Sequence, residues 1–75
     1  MDYQYELDVR GLPCPVPLLR LKKAISEVKK GEVICMIADD ERCPLDVKAF
    51  AYHSRNKLLE LQAEGRDLRF YVEKC

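Results

Sequence analysis

The chain has 75 residues, 48% of them hydrophobic, with 13 basic and 13 acidic side chains that cancel. That is enough for one small domain over residues 1–75 with a modest core, and the balanced charge lacks the basic footprint of a non-specific nucleic-acid binder. No stretch approaches the ~20 apolar residues of a membrane span, and the opening Met1-Asp2-Tyr3-Gln4-Tyr5-Glu6 has neither the basic start nor the apolar run of a secretory signal, so a cytoplasmic protein is expected, monomeric when free, with no nucleic-acid or membrane partner.

Tyr3 to Val9 alternates, with Tyr3, Tyr5, Leu7 and Val9 on one face and Gln4, Glu6 and Asp8 on the other, the pattern of a half-buried strand. Gly11 marks the bend out of it. Arg10-Gly11-Leu12-Pro13-Cys14-Pro15-Val16-Pro17-Leu18 then sets one cysteine between prolines at a strand-to-helix junction. Pro15 suits the first helical position, where its missing N–H has no intrahelical partner. Pro17 still falls in the first turn, where amides are free. A following proline drives Cys14 toward extended backbone angles, those of an N-cap residue. Cys14 is therefore expected at the mouth of a helix, where the positive end of the dipole favours thiolate over thiol. Arg10, Arg20 and Lys22 are expected to add to that field. Pro15 and Pro17 remove two amides and leave those of Val16 and Leu18, so the thiol is expected to be moderately activated. The inert alternative, a plain cap, suits cysteine poorly, because Ser, Thr, Asp and Asn serve better there.

From Pro15 to about Lys29 the period is helical, with Leu18, Leu21, Ile25 and Val28 on one stripe and Ala24 beside it. Gly31 is the expected stop. Leu19 and Lys22 flank the stripe on the Cys14 side, placed either to meet a docking partner or to be ordinary surface. Val33 to Ala38 is a continuous apolar run and reads as a central strand buried on both faces. Cys35 in its middle reads as core, because a buried free cysteine behaves as a small hydrophobe.

A loop follows, Asp39-Asp40-Glu41-Arg42, and Cys43-Pro44 repeats the cysteine–proline arrangement at a second helix start. If the two strands are parallel neighbours, both helix mouths open on one edge of the sheet and Cys43 lies near Cys14 as a resolving thiol. The plainer reading makes Cys43 an N-cap substitute, since Asp39, Asp40 and Glu41 oppose a thiolate. Asp46 to about Asn56 reads as the second helix, with Val47, Phe50, Ala51 and Ser54 inward, His53 on a flank and Tyr52 partly packed. Leu58–Glu64 and Leu68–Glu73 read as strands around the turn Glu64-Gly65-Arg66-Asp67, with Leu59, Leu61 and Ala63 alternating with polar residues, as Leu68, Phe70 and Val72 do. Cys75 is expected to be exposed and unpositioned. With no Cys-x-x-Cys pair and a single histidine, no metal or cofactor site is expected.

The element order defines an α/β two-layer sandwich, β-α-β-α-β-β, with a four-stranded mixed sheet and two helices on one face. The other face is expected to be the more polar one, open to water or to a partner.

Leu7-Asp8-Val9-Arg10-Gly11-Leu12-Pro13-Cys14-Pro15-Val16-Pro17 resembles the Cys-Pro-x-Pro signature of the TusA/SirA/YedF family of small sulfur carriers. Gly31-Glu32 before the apolar strand, Ala38-Asp39-Asp40 after it, Asp46, Phe50 and the closing Leu68–Glu73 strand extend the resemblance over nearly the whole chain. It implies a fold similar to the C-terminal domain of bacterial translation initiation factor three. It implies a persulfide on Cys14, received from a donor sulfurtransferase or cysteine desulfurase and handed to an acceptor sulfur-relay protein. It further implies an acidic position near the active cysteine at Asp40 and a basic partner-contact position at Lys22. Pro13, Pro15, Pro17, Leu19 and Cys43 complete the set of supporting or partner-contacting candidates. The family often has Thr-Thr-Arg-Asp at the start of its second helix, where this chain has Cys43-Pro44-Leu45-Asp46. The departure bears on the choice of partner, tRNA thiolation included, and leaves the Cys14 chemistry untouched.

A relay also fits the residues on their own. Transfer needs an exposed sulfur, a stabilised anion and a domain small enough to enter another enzyme's cleft. No second catalytic group lies close in sequence, so the chain reads as a persulfide carrier rather than a stand-alone catalyst. Two alternatives stand beside it: a thiol redox switch using Cys14 and Cys43, and an RNA-binding module suggested only by the sandwich shape, against which the neutral charge speaks.

Overall fold

Every residue of the run Val33–Ala38 is buried, and the rest of the chain assembles against this strand. The computed structural model describes residues 2–75. Its elements are β1 (Tyr5–Asp8), α1 (Val16–Glu27), β2 (Val33–Ala38), α2 (Cys43–Ser54), β3 (Lys57–Glu64) and β4 (Asp67–Glu73). The sheet order is β1-β2-β4-β3, with β1 parallel to β2 and the other pairings antiparallel. This is the expected α/β sandwich with a mixed sheet.

The main core lies between the helices and one sheet face. Leu21 and Ile25 of α1 and Val47 of α2 meet Ile34, Met36, Phe70 and Val72. Leu21, Ile34, Met36 and Phe70 are fully buried, each worth roughly 1.5–3 kcal/mol of apolar burial. The facing residues of β2 and β4 are in register, with Ile34 opposite Val72 and Met36 opposite Phe70, so period-two alternation puts both pairs on the helix side.

Several expectations are corrected. Tyr3 does not share a face with Tyr5: the chain bends at Gln4, and the Tyr3 ring lies 6.0 Å from that of Tyr71 on the opposite side of the sheet. α1 ends at Glu27 rather than Lys29, because Val28 turns extended and buried. Gly31 therefore belongs to the following turn, where its N–H donates to the Lys74 carbonyl. α2 starts at Cys43, three positions before Asp46, and closes at Arg55 in the left-handed conformation rather than at Asn56. Ser54 is exposed and its hydroxyl donates to the Phe50 carbonyl, and Tyr52, expected to be partly packed, is 81% exposed. A bulge between Leu58 and Glu60 shifts the β3 register. It turns Leu58 and Leu61 toward the core and leaves Leu59 exposed, because a bulge inserts one residue into the alternation. The face away from the helices is also less polar than expected, since Val33, Cys35, Ile37 and Tyr71 are buried there.

Candidate functional site

Parallel pairing sets the geometry. Asp8 stands opposite Ile37, an offset of 29 positions, and Cys14 and Cys43 are separated by the same 29. The two chain segments leaving β1 and β2 therefore run side by side to their helices. Gly11 turns the first segment with φ of 82°, a conformation that suits a residue without Cβ. Its N–H donates to both Asp39 carboxylate oxygens, at 3.0 and 3.1 Å. The Cys14 N–H donates to Asp40 Oδ2 at 3.0 Å, and the Cys43 N–H donates to the Asp40 carbonyl at 3.0 Å. Asp40 thus holds the backbone of both cysteines. Its carboxylate also accepts the Arg42 N–H at 2.8 Å and the Arg42 guanidinium at 3.1 and 2.7 Å.

The two thiols meet. Cys14 Sγ and Cys43 Sγ are 2.6 Å apart, farther than the ~2.05 Å of a formed disulfide, and both cysteines are free. Neither is an N-cap. Pro15 holds that position in α1, which leaves Cys14 one residue outside it, and Arg42 holds it in α2, which makes Cys43 the first helical residue. The Cys14–Pro15 peptide is cis. Pro17 occupies the second helical position, and the Val16 N–H expected to serve the sulfur donates instead to the Pro13 carbonyl at 3.0 Å. Cys14 is half-buried rather than fully open, whereas Cys43 is wholly inaccessible.

Burial pushes the Cys43 thiol up to about 12, with the hydrogen bond to Cys14 and nearby negative charge acting in the same direction. Cys43 therefore keeps its proton near neutrality. The Asp40 carboxyl is held well below the usual carboxylate range, first by its hydrogen bonds from Arg42 and then by the Cys14 N–H. Of the three carboxylates expected to oppose a thiolate, Asp39 is engaged by the Gly11 N–H and Asp40 by Arg42 and Cys14, while Glu41 lines the cleft beside Cys14.

The cations are not those expected. Arg10 turns away to Asp8 and Asp67, and Arg20 lines a separate surface hollow with Leu7 and Glu27. Lys22 lies 5.9 Å from the Phe50 ring centroid, in a groove with Leu18, Asp46 and His53. Arg42, which sequence reasoning missed, lines the cleft with Cys14, its guanidinium paired to Asp40. Its guanidinium is held above its ordinary range chiefly by Asp40 and to a lesser degree by Cys14. The signal was present in its position immediately before Cys43, but it needed the parallel register to bring it to the Cys14 cleft.

Cys14 opens onto a shallow cleft shared with Pro15, Glu41, Arg42, Leu45 and Asp46. Pro13 borders a neighbouring hollow with Gly11, Leu12 and Asp40. Pro13 and Pro15 are exposed, while Pro17 is buried and acts in packing rather than contact. Leu45 is 76% exposed and Leu19 57%. Leu19 follows Pro15 by one helical turn, its N–H donating to the Pro15 carbonyl. Cys35 is buried on the far sheet face and Cys75 is exposed. Among the described residues no group of three or more His, Cys, Asp or Glu side chains is placed to hold a metal ion, and no helix is long and apolar enough to cross a membrane.

A family model described as Sulfurtransferase TusA matches residues 5–74. Over 73 residues the chain is 40% identical to the sulfur carrier protein TusA of Allochromatium vinosum, covering 97% of this chain and 96% of that one. It is 37% identical over 68 residues to the putative sulfur carrier protein YrkI of Bacillus subtilis, covering 91% of each. The fold is similar to that of a SirA-like protein from Desulfitobacterium hafniense, with a TM-score of 0.84 over 93% of this chain and 96% of that one at 21% identity.

Proposed function

Because the chain belongs to the TusA family, we propose that it is a sulfur carrier that holds a persulfide on Cys14 and passes the outer sulfur from a donor enzyme to an acceptor protein. The observation that carries this reading is the half-exposed Cys14 sulfur, set on a backbone pinned by Asp40 at the edge of an open cleft. In the first step the Cys14 thiolate attacks the outer sulfur of a donor persulfide. The new S–S bond forms on Cys14, and the donor thiolate leaves with the electron pair. In the second step an acceptor thiolate attacks the outer sulfur on Cys14, and Cys14 leaves as thiolate. Each step is an exchange at sulfur, favoured by a stable leaving thiolate, and Arg42 lines the cleft beside it.

Partner recognition rests on the surface around the sulfur. Exposed Pro13, Pro15, Leu19 and Leu45 present an apolar rim with Arg42 and Glu41 beside it, and Lys22 stands on the adjoining groove. The donor is a sulfurtransferase or cysteine desulfurase, the acceptor a sulfur-relay protein, and the setting cytoplasmic. Incubation with a sulfur donor followed by intact mass measurement tests the reading: one added sulfur is expected on the wild type and none on Cys14→Ser. Sulfur retained at wild-type level by that variant refutes the assignment.

The contact between the two sulfurs favours a second reading, a redox switch in which a peroxide-type oxidant closes a Cys14–Cys43 disulfide and silences the carrier. Peptide mapping after mild oxidation is expected to find that linkage, and its absence removes this reading.

A further inference from the structure

Cys43 has no accessible surface, so no partner protein can reach its sulfur. Its sulfur touches that of Cys14 at 2.6 Å, and it belongs to the core cluster against which Cys14 packs. Cys14 also lines the cleft of Pro15, Glu41, Arg42 and Leu45, which Cys43 does not line. An outer sulfur bonded to Cys14 therefore occupies the cleft side, with Cys43 behind the inner sulfur. A nucleophile thus touches the inner sulfur, and the open cleft has room for the leaving group.

We propose that Cys43 discharges the loaded carrier by attacking the inner sulfur of the Cys14 persulfide, expelling hydrosulfide and closing a Cys14–Cys43 disulfide. The inference rests on the carrier reading of Cys14. The bond between Cys14 Sγ and the outer sulfur breaks, and the bond between Cys43 Sγ and Cys14 Sγ forms. The proton of Cys43 passes to the outer sulfur, which leaves as HS⁻ with the electron pair. The sulfane sulfur is reduced to sulfide and the two cysteine sulfurs are oxidised, so no external oxidant enters. Reopening the disulfide for another turn requires a dithiol reductant. The same cargo thus has two exits. A docked acceptor thiolate takes the outer sulfur as sulfane sulfur, whereas an undocked carrier releases it as sulfide.

The proton on Cys43 sets the order of these exits. A thiol attacks only through its thiolate, and burial holds Cys43 protonated. Internal discharge is therefore slow beside transfer to an ionised acceptor, and it becomes the outcome when no acceptor arrives. Asp40 keeps the two sulfurs together through the N–H groups of both residues.

The test uses wild type, Cys43→Ala and Cys43→Ser, each loaded anaerobically with inorganic polysulfide, desalted free of small thiols and followed over time. Intact mass reports the sulfur adduct, a sulfide assay reports the product, non-reducing peptide mapping reports the disulfide, and circular dichroism confirms that each variant is folded. For the wild type we expect one sulfide released per Cys14-bound sulfur, matched by the appearance of the Cys14–Cys43 disulfide. For both variants the adduct should last longer by about tenfold or more, because the attacking thiol is gone. An adduct that persists as long on the wild type as on the variants overturns the inference and leaves the carrier reading standing. Equal sulfide release from all three proteins also overturns it. Absence of any adduct from all three overturns the carrier reading itself, and the inference with it.

Discussion

The two strand-to-helix junctions have the same cysteine–proline pair and reach opposite environments. At the first, Gly11-Leu12-Pro13 carries the chain around a turn and leaves Cys14 one residue before the N-cap, half-exposed. At the second, the Asp40 carbonyl receives the Cys43 N–H and the chain enters the helix at once, so Cys43 points into the core. A following proline fixes that a helix starts nearby, but not whether the cysteine stands just outside or just inside it. That small difference separates a sulfur that meets partners from one that meets only its neighbour.

The same substitution at the two junctions should have different consequences. Cys14→Ser is expected to abolish sulfur loading while leaving the fold intact. Cys43→Ser should still accept sulfur, but its hydroxyl enters a closed apolar site and should lower stability by about 1–3 kcal/mol, read from urea unfolding. Equal losses of stability at both positions would contradict the placement of the two side chains.

Next in size is Asp40→Ala, which removes the side-chain acceptor for the Cys14 N–H and the partner of Arg42. Misplacing the sulfur should slow persulfide formation by about tenfold, read from the rate of adduct formation. An unchanged rate would mean that Asp40 serves only the local turn.

The pH profile is a smaller effect that again separates the junctions. Cys43 titrates near 12 in the folded protein against an ordinary 9.0, burial being the main cause. Above pH 9 the unfolded chain releases this proton and the folded chain retains it, so stability should fall as pH rises toward 12. Thermal melts across this window should show the fall in wild type and a shallower one in Cys43→Ala. The smallest expected change is Leu45→Ser. Its side chain is 76% exposed, so stability should move by no more than about 0.5 kcal/mol, while transfer to an acceptor protein should slow as apolar contact is lost.

The fold was largely legible because its signals are periodic. The alternating and continuous apolar runs, two helical stripes and a Gly-containing turn suffice for the element order and the mixed sheet. Leu59 misled, because a bulge leaves no mark in a short alternating run. Tyr3 misled because a bend at Gln4 moves it to the other face. At the site, the proline pattern revealed Cys14 and the repeated pair raised Cys43 as its possible neighbour. Arg42 and the double role of Asp40 were not legible, since both depend on the register of β1 against β2 rather than on proximity along the chain. Charge attributed to Arg10 by proximity went instead to Asp8 and Asp67.

Peptide-level mass mapping of the freshly sulfur-loaded wild-type protein is the most direct measurement of where the cargo sits. The extra sulfur is expected on the peptide containing Cys14, with Cys35 and Cys43 bearing none. Sulfur found on the exposed Cys75 or on Cys43, with Cys14 unmodified, would contradict it.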